Sequence, residues 1–121
     1  MASTHVQLLA RVDDLARREG LVAAETSKAR IYRDPIGGTV MWLPNGQERL
    51  ELTLIQVRMA AEQRAHGLHA LLARCMDTEM DQIPAHQLGL DAQDAIAHWP
   101  TLEDTFFPAY LSAHREVQAD R

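Results

Sequence analysis

The stretch that most constrains this chain runs from Pro44 to Met76, PNGQERLELTLIQVRMAAEQRAHGLHALLARCM. Its spacing predicts one long helix. Asn45 can cap the start, and Glu48, three residues on, can return a bond to the Asn45 amide, as in a capping box. Leu50, Leu54, Val57, Ala61, Leu68, Leu72 and Cys75 then fall within roughly 60° of one another at about 100° per residue, which defines one stripe. At about 1.5 Å per residue, some thirty residues reach roughly 45 Å, longer than a domain of this size is wide. Such a helix overhangs its domain, and the overhang implies a homodimer formed along it.

The same residues support a rival. Asn45-Gly46 is a strong hairpin signal, and Leu50, Leu52 and Leu54 alternate as a strand does. On that reading Arg49 to Leu54 is a strand and the helix begins near Ile55. Whether the helix starts at Gln47 or at Ile55 separates a dimerising rod from a three-stranded meander with a shorter helix packed on it. The seven-position stripe and the cap favour the rod. Gly67 interrupts it at a cost of about 1 kcal/mol relative to alanine, which marks a bend or a close approach of another backbone.

Upstream, Thr4 to Glu19 reads as a helix. Thr4 and Gln7 suit a capping box, Val6, Leu9, Val12 and Ala16 follow a stripe, and Gly20 terminates it. Leu21 to Lys28 reads as a short second helix with little to pack. Ile31-Tyr32 and Thr39 to Leu43 flank the turn-forming Asp34-Pro35-Ile36-Gly37-Gly38, which implies a hairpin lying against a helix or a further strand. Downstream, Asp91 caps a helix from Ala92 to Trp99. Thr101 and Asp104 suit a second capping box, and Pro108 is expected to break or kink that helix at Phe107. The fold expected is therefore α+β and mainly helical: an N-terminal helix, a small β-hairpin, a long central helix and short C-terminal helices. It forms a single domain over 1–121, divided as 1–28 helical, 29–43 hairpin, 44–76 long helix and 77–121 acidic and helical.

The 121 residues are 46% hydrophobic and 24% charged, ordinary for a soluble globular protein. No apolar run approaches the roughly 18 residues that span a bilayer, and the start, MASTHVQLLARVDD, does not read as a signal peptide. The lone cysteine suits a reducing compartment, so cytoplasm is the expected location. The net charge of −5 is unevenly spread. Residues 1–75 carry ten Lys or Arg against eight Asp or Glu, whereas residues 76–121 carry two Arg against nine Asp or Glu. An acidic C-terminal third of this kind suits a basic partner surface or self-association between opposite halves.

Nothing in the chain argues for catalysis. Glu62, His66 and His69 share a helix face at spacings of four and three, but the pattern matches no helical metal motif and reads as a solvated face. Cys75 lies on the apolar stripe as a small hydrophobe. The serines lack a nucleophile elbow, and Gly37-Gly38 is too short for a phosphate cradle. No enzyme, metal or cofactor is expected.

Two binding readings remain. Asp14 to Leu21 has the order of the first helix and turn of a helix-turn-helix, followed by a second helix, a basic hairpin and a long helix. That order is similar to winged-helix regulators that dimerise through a long terminal helix. The resemblance implies DNA contacts from Arg17, Arg18, Lys28, Arg30 and Arg33. The favoured reading is instead a non-enzymatic protein–protein interaction or regulatory protein that binds through its acidic, aromatic C-terminal third. Asp91, Asp94, Glu103 and Asp104 supply the charge, and Trp99, Phe107 and Tyr110 the aromatic surface. By analogy, small inhibitors from phages and other mobile elements use such carboxylates to occupy nucleic-acid grooves on other proteins.

Overall fold

The computed structural model describes residues 3–36, 38–53, 67–68, 70–77 and 87–119. The first helix, α1, spans Thr4–Glu19. Its cap is Ser3 rather than Thr4: the Ser3 hydroxyl accepts from the Val6 amide at 3.2 Å. Gly20, at φ 75°, ends the helix in the left-handed region, and the Gly20 and Leu21 amides both return to the Ala16 carbonyl. Among the described residues five strands organise the rest. They are β1 (Val22–Glu25), β2 (Ala29–Asp34), β3 (Gly38–Pro44), β4 (Arg49–Thr53) and β5 (Gln87–Asp91), joined antiparallel in the order β1-β2-β3-β4-β5.

This sheet overturns the mainly helical reading with its small hairpin and long central helix. Asn45-Gly46 forms a turn, with Gly46 at φ 76°, and Arg49–Thr53 leaves it as a strand. The alternation of Leu50 and Leu52 was the decisive signal: both are fully buried on the sheet's inner face. The helix stripe drawn from Leu50 onward therefore mixed a strand with a helix, and the dimerising rod loses its first part. Residues 67–68 and 70–75 are helical, and Leu68, Leu72 and Cys75 do turn inward. The proposed start at Ile55 lies outside the described residues. Gly67 is exposed, and a Cβ there would meet nothing within 4 Å among the described residues.

The second correction falls on Leu21 to Lys28. Instead of a short helix, Val22–Glu25 is a strand, closed onto β2 by a tight turn. Thr26 builds that turn. Its hydroxyl accepts from the Ala29 amide at 2.9 Å and the Lys28 amide at 3.2 Å, while its own amide donates to the Ala29 carbonyl. Pairing with β2 has overridden the helix propensity of the two alanines.

Tyr32, Met41, Leu43, Leu50, Leu52 and Leu90 carry the inner face of the sheet into one core. Leu8, Val12, Leu15 and Ala16 of α1 pack onto it. So do Ala92 and Ala95 of α2, which spans Ala92–Ala97 and is capped by Asp91. A single helical turn, Trp99–Thr101, then runs into a π-helical turn, Leu102–Phe106, and on into α3, Phe107–Ala119. Pro108 accounts for the wide turn: it donates no amide, and its ring would crowd the Asp104 carbonyl in a regular helix. Thr101 makes no side-chain capping bond. The widened turn lets adjacent Phe106 and Phe107 both point inward, where they meet Trp99 and Tyr110 at centroid distances of 5.3–5.4 Å along the chain of rings Trp99–Phe107–Phe106–Tyr110.

Candidate partner-binding surfaces

The aromatic half of the expected binding surface is core. Trp99, Phe107 and Tyr110 are 2%, 0% and 0% exposed. Proline punctuation suggested short surface segments, but the π-turn folds these rings beneath the sheet. Tyr110 additionally donates its hydroxyl to the carbonyl of Val40. That carbonyl belongs to a bulge: Tyr32 pairs with Met41 and Arg33 with Thr39, which leaves Val40 as the extra residue.

The acidic half divides. Glu103 is committed within the molecule, accepting from the Trp99 indole at 2.9 Å and pairing with Arg18 at 3.0 Å. Asp91, Asp94 and Asp104 are exposed, and among the described residues none has a cationic partner. Asp91 is also a cap, accepting from the Gln93 and Asp94 amides.

The basic residues read as DNA contacts do not form one surface. Arg17 pairs with Asp14 and Arg18 with Glu103. Lys28 lies in the β1–β2 turn and Arg33 on the exposed side of β2. Arg30 is drawn into a network with Asp13, Glu25 and Tyr32. Its Nε donates to Asp13 Oδ1 at 3.1 Å and to the Tyr32 hydroxyl at 3.1 Å, and its Nη1 donates to Glu25 at 2.8 Å. The Tyr32 hydroxyl donates to Asp13 Oδ1 at 2.6 Å. Burial, reinforced by the Asp13 carboxylate, pushes the Tyr32 phenol above its ordinary range. Asp13, then Glu25, holds the Arg30 guanidinium charge more firmly still. The network joins α1 to the sheet with its donors satisfied. The helix-turn-helix order itself is absent, since the segment expected to be the recognition helix is strand β1.

Glu62, His66 and His69 lie outside the described residues, and among the described ones no group of three His, Cys, Asp or Glu is placed to hold a metal. Cys75 is buried, its thiol directed at the Thr101 carbonyl, and burial pushes its pKa up, away from a reactive thiolate.

What sequence reasoning missed is the sheet edge. β1 is an outer strand, and all four of its residues are exposed. The bond from the Thr26 amide to the Ala29 carbonyl marks 26/29 as a hydrogen-bonded pair. By the alternation of an antiparallel ladder, 24/31 and 22/33 are bonded pairs too, so the amides and carbonyls of Ala23 and Glu25 point away from the sheet. The bond from the Asn45 amide to the Lys28 carbonyl fixes the same phase from the other side of β2. Strands close their edges with proline, lysine, a bulge or a covering element. Val22-Ala23-Ala24-Glu25 has none of these among the described residues. Its one charged side chain, Glu25, is held by Arg30. The missed signal was a thin one: a β-branched residue after the helix-ending Gly20, then Thr26-Ser27-Lys28 as a turn.

Among the described residues no helix is long and apolar enough to cross a membrane. Comparison with known proteins matched no family model, no curated relative and no solved structure.

Proposed function

We propose that this chain is a non-catalytic protein-binding module that engages an extended segment of its partner along the open edge of β1. The observation that carries the reading is the exposed, unprotected edge itself, with outward amides and carbonyls at Ala23 and Glu25. An added strand gains main-chain hydrogen bonds there, each worth about 0.5–1.5 kcal/mol net, while exposed Val22 and the alanines allow close approach. The reading includes a cytoplasmic location, where Cys75 stays reduced.

A photo-crosslinking residue placed at position 23 tests it in extract from the native cells. An adduct with another polypeptide chain is expected at position 23. Absence of any adduct there, with efficient adducts from position 94, removes the edge reading.

A second reading is favoured by the exposure of Asp91, Asp94 and Asp104 without cationic partners: a basic partner docks on the α2 side of the molecule. Replacing the three with Asn keeps the Asp91 cap and removes the charge. Loss of adducts from position 94, with those from position 23 intact, would assign binding to this face.

A further inference from the structure

We infer that the strand received by the β1 edge is β1 of a second copy of this chain, giving a two-fold dimer with a continuous ten-stranded sheet. This rests on the open-edge reading and adds its occupant. An antiparallel edge pairs with itself about a two-fold axis, so the question is whether any register suits this one. Three registers are centred on the outward-bonding segment. Centring on Glu25 sets Ala23 against Ser27, which lies in the β1–β2 turn outside the strand, and brings the two Glu25 side chains to their closest approach. Centring on Ala23 sets Glu25 against Leu21, whose amide is already committed to the Ala16 carbonyl at 2.9 Å. Centring on Ala24 sets Ala23 of each copy against Glu25 of the other.

That third register satisfies every outward group of the edge. Ala23 and Glu25 are the two residues whose amides and carbonyls face away from β2, so two bonded pairs form and four hydrogen bonds result. Ala24 meets its own copy across the axis as a non-bonded pair, where Cα atoms approach to about 4.5 Å and the two methyl groups offer no obstacle. The two Glu25 carboxylates end up two residues apart along the paired strands. Each is already neutralised by its own Arg30 at 2.8 Å. No backbone change is required, because β1 has its strand conformation before the partner arrives.

The contact is small. A four-residue strand pair falls below the roughly 1,200 Å² of a standard stable interface, so the dimer belongs to the weak class that forms at concentrations on the order of micromolar to millimolar. Sedimentation across that range is the test. The wild-type mass is expected to rise from one chain to two. Ala23→Pro removes an outward amide and leaves every β1–β2 bond in place, so it is expected to stay monomeric with an unchanged circular dichroism spectrum. Should that variant unfold, Ala24→Asp serves instead, placing like charges across the axis without touching the backbone. Ala24→Cys is expected to oxidise to a covalent dimer faster than Ala23→Cys. A monomer at every concentration overturns self-pairing. So does a dimer that survives both Ala23→Pro and Ala24→Asp. In a protein that stays monomeric, adducts from position 23 with a different polypeptide leave the open-edge reading standing with another occupant. Absence of any adduct removes that reading as well.

Discussion

Tyr32 is fully buried, yet its hydroxyl sits between a carboxylate and a guanidinium that come from different elements. Tyr32→Phe keeps the ring and removes two hydrogen bonds, while Asp13 and Arg30 stay paired. A loss of about 1–2 kcal/mol is expected, read as a lower urea midpoint at unchanged slope. The same phenol sets a pH dependence. Its folded pKa is raised, so the folded state holds the proton more tightly than the unfolded chain. The stabilisation is complete below the ordinary phenol pKa of about 10 and declines as pH rises above it. Denaturation at a series of pH values from 8 upward is expected to show that decline, and Tyr32→Phe to flatten it. Gly89 makes a second residue-scale prediction. A Cβ there would overlap the Arg49 guanidinium, which lies across the strand and pairs with buried Glu51. Gly89→Ala is expected to displace the flexible, half-exposed Arg49 guanidinium at a cost below about 1 kcal/mol. In a double-mutant cycle with Arg49→Ala the two losses are expected to sum to less than their separate values. Independent, additive losses would show that Arg49 does not depend on the bare backbone at Gly89.

Among the elements, those with local punctuation were legible. Gly20 ended α1, Asp91 capped α2, and Pro108 marked the irregular turn before α3. Three strands were not, among them Gln87–Asp91, which lies in the stretch read as acidic and helical. Val22–Glu25 holds two alanines and a glutamate, whose preference is helical, and only its pairing with β2 and the Thr26 turn make it a strand. Arg49–Thr53 was legible as an alternative, because alternation and a capping pattern coexist in the same dozen residues. The alternation decided it, since a leucine at every second position fits a sheet buried on one face. The binding surface was misread for a related reason. Proline spacing says where a helix is interrupted and nothing about which side of the interruption faces the core, so buried Trp99, Phe107 and Tyr110 looked like surface residues. The exposed carboxylates were legible because nothing about them depends on long-range pairing.

For the whole molecule, the last helix holds the first. Arg115 of α3 donates to the Glu19 carbonyl at the end of α1 and, at 2.9 Å, to buried Asp34 at the end of β2. Asp34 also accepts from the Ile36 amide, so it ties a turn, a strand and a helix together. Asp34→Asn leaves the guanidinium without its counter-charge. A loss of about 1–3 kcal/mol is expected, and Arg115→Ala on that background is expected to add less than it does alone. Calorimetric melting of the four proteins checks both. No such clamp was legible, because the partners lie 81 and 96 residues apart and neither carries a local signature.

Those separations have a consequence for how the chain reaches its native state. Every sheet contact joins neighbours in the strand order, so the first four strands zip through short loops and meet little entropic resistance. Tyr110 and Arg115 must instead close loops of 70 residues and more. During synthesis the meander emerges with only α1 to cover its leucine face, and the part that α3 covers stays open until α3 leaves the ribosome. Between strand pairing and the arrival of the last helix that surface stays open, for a time no shorter than translation takes to release α3.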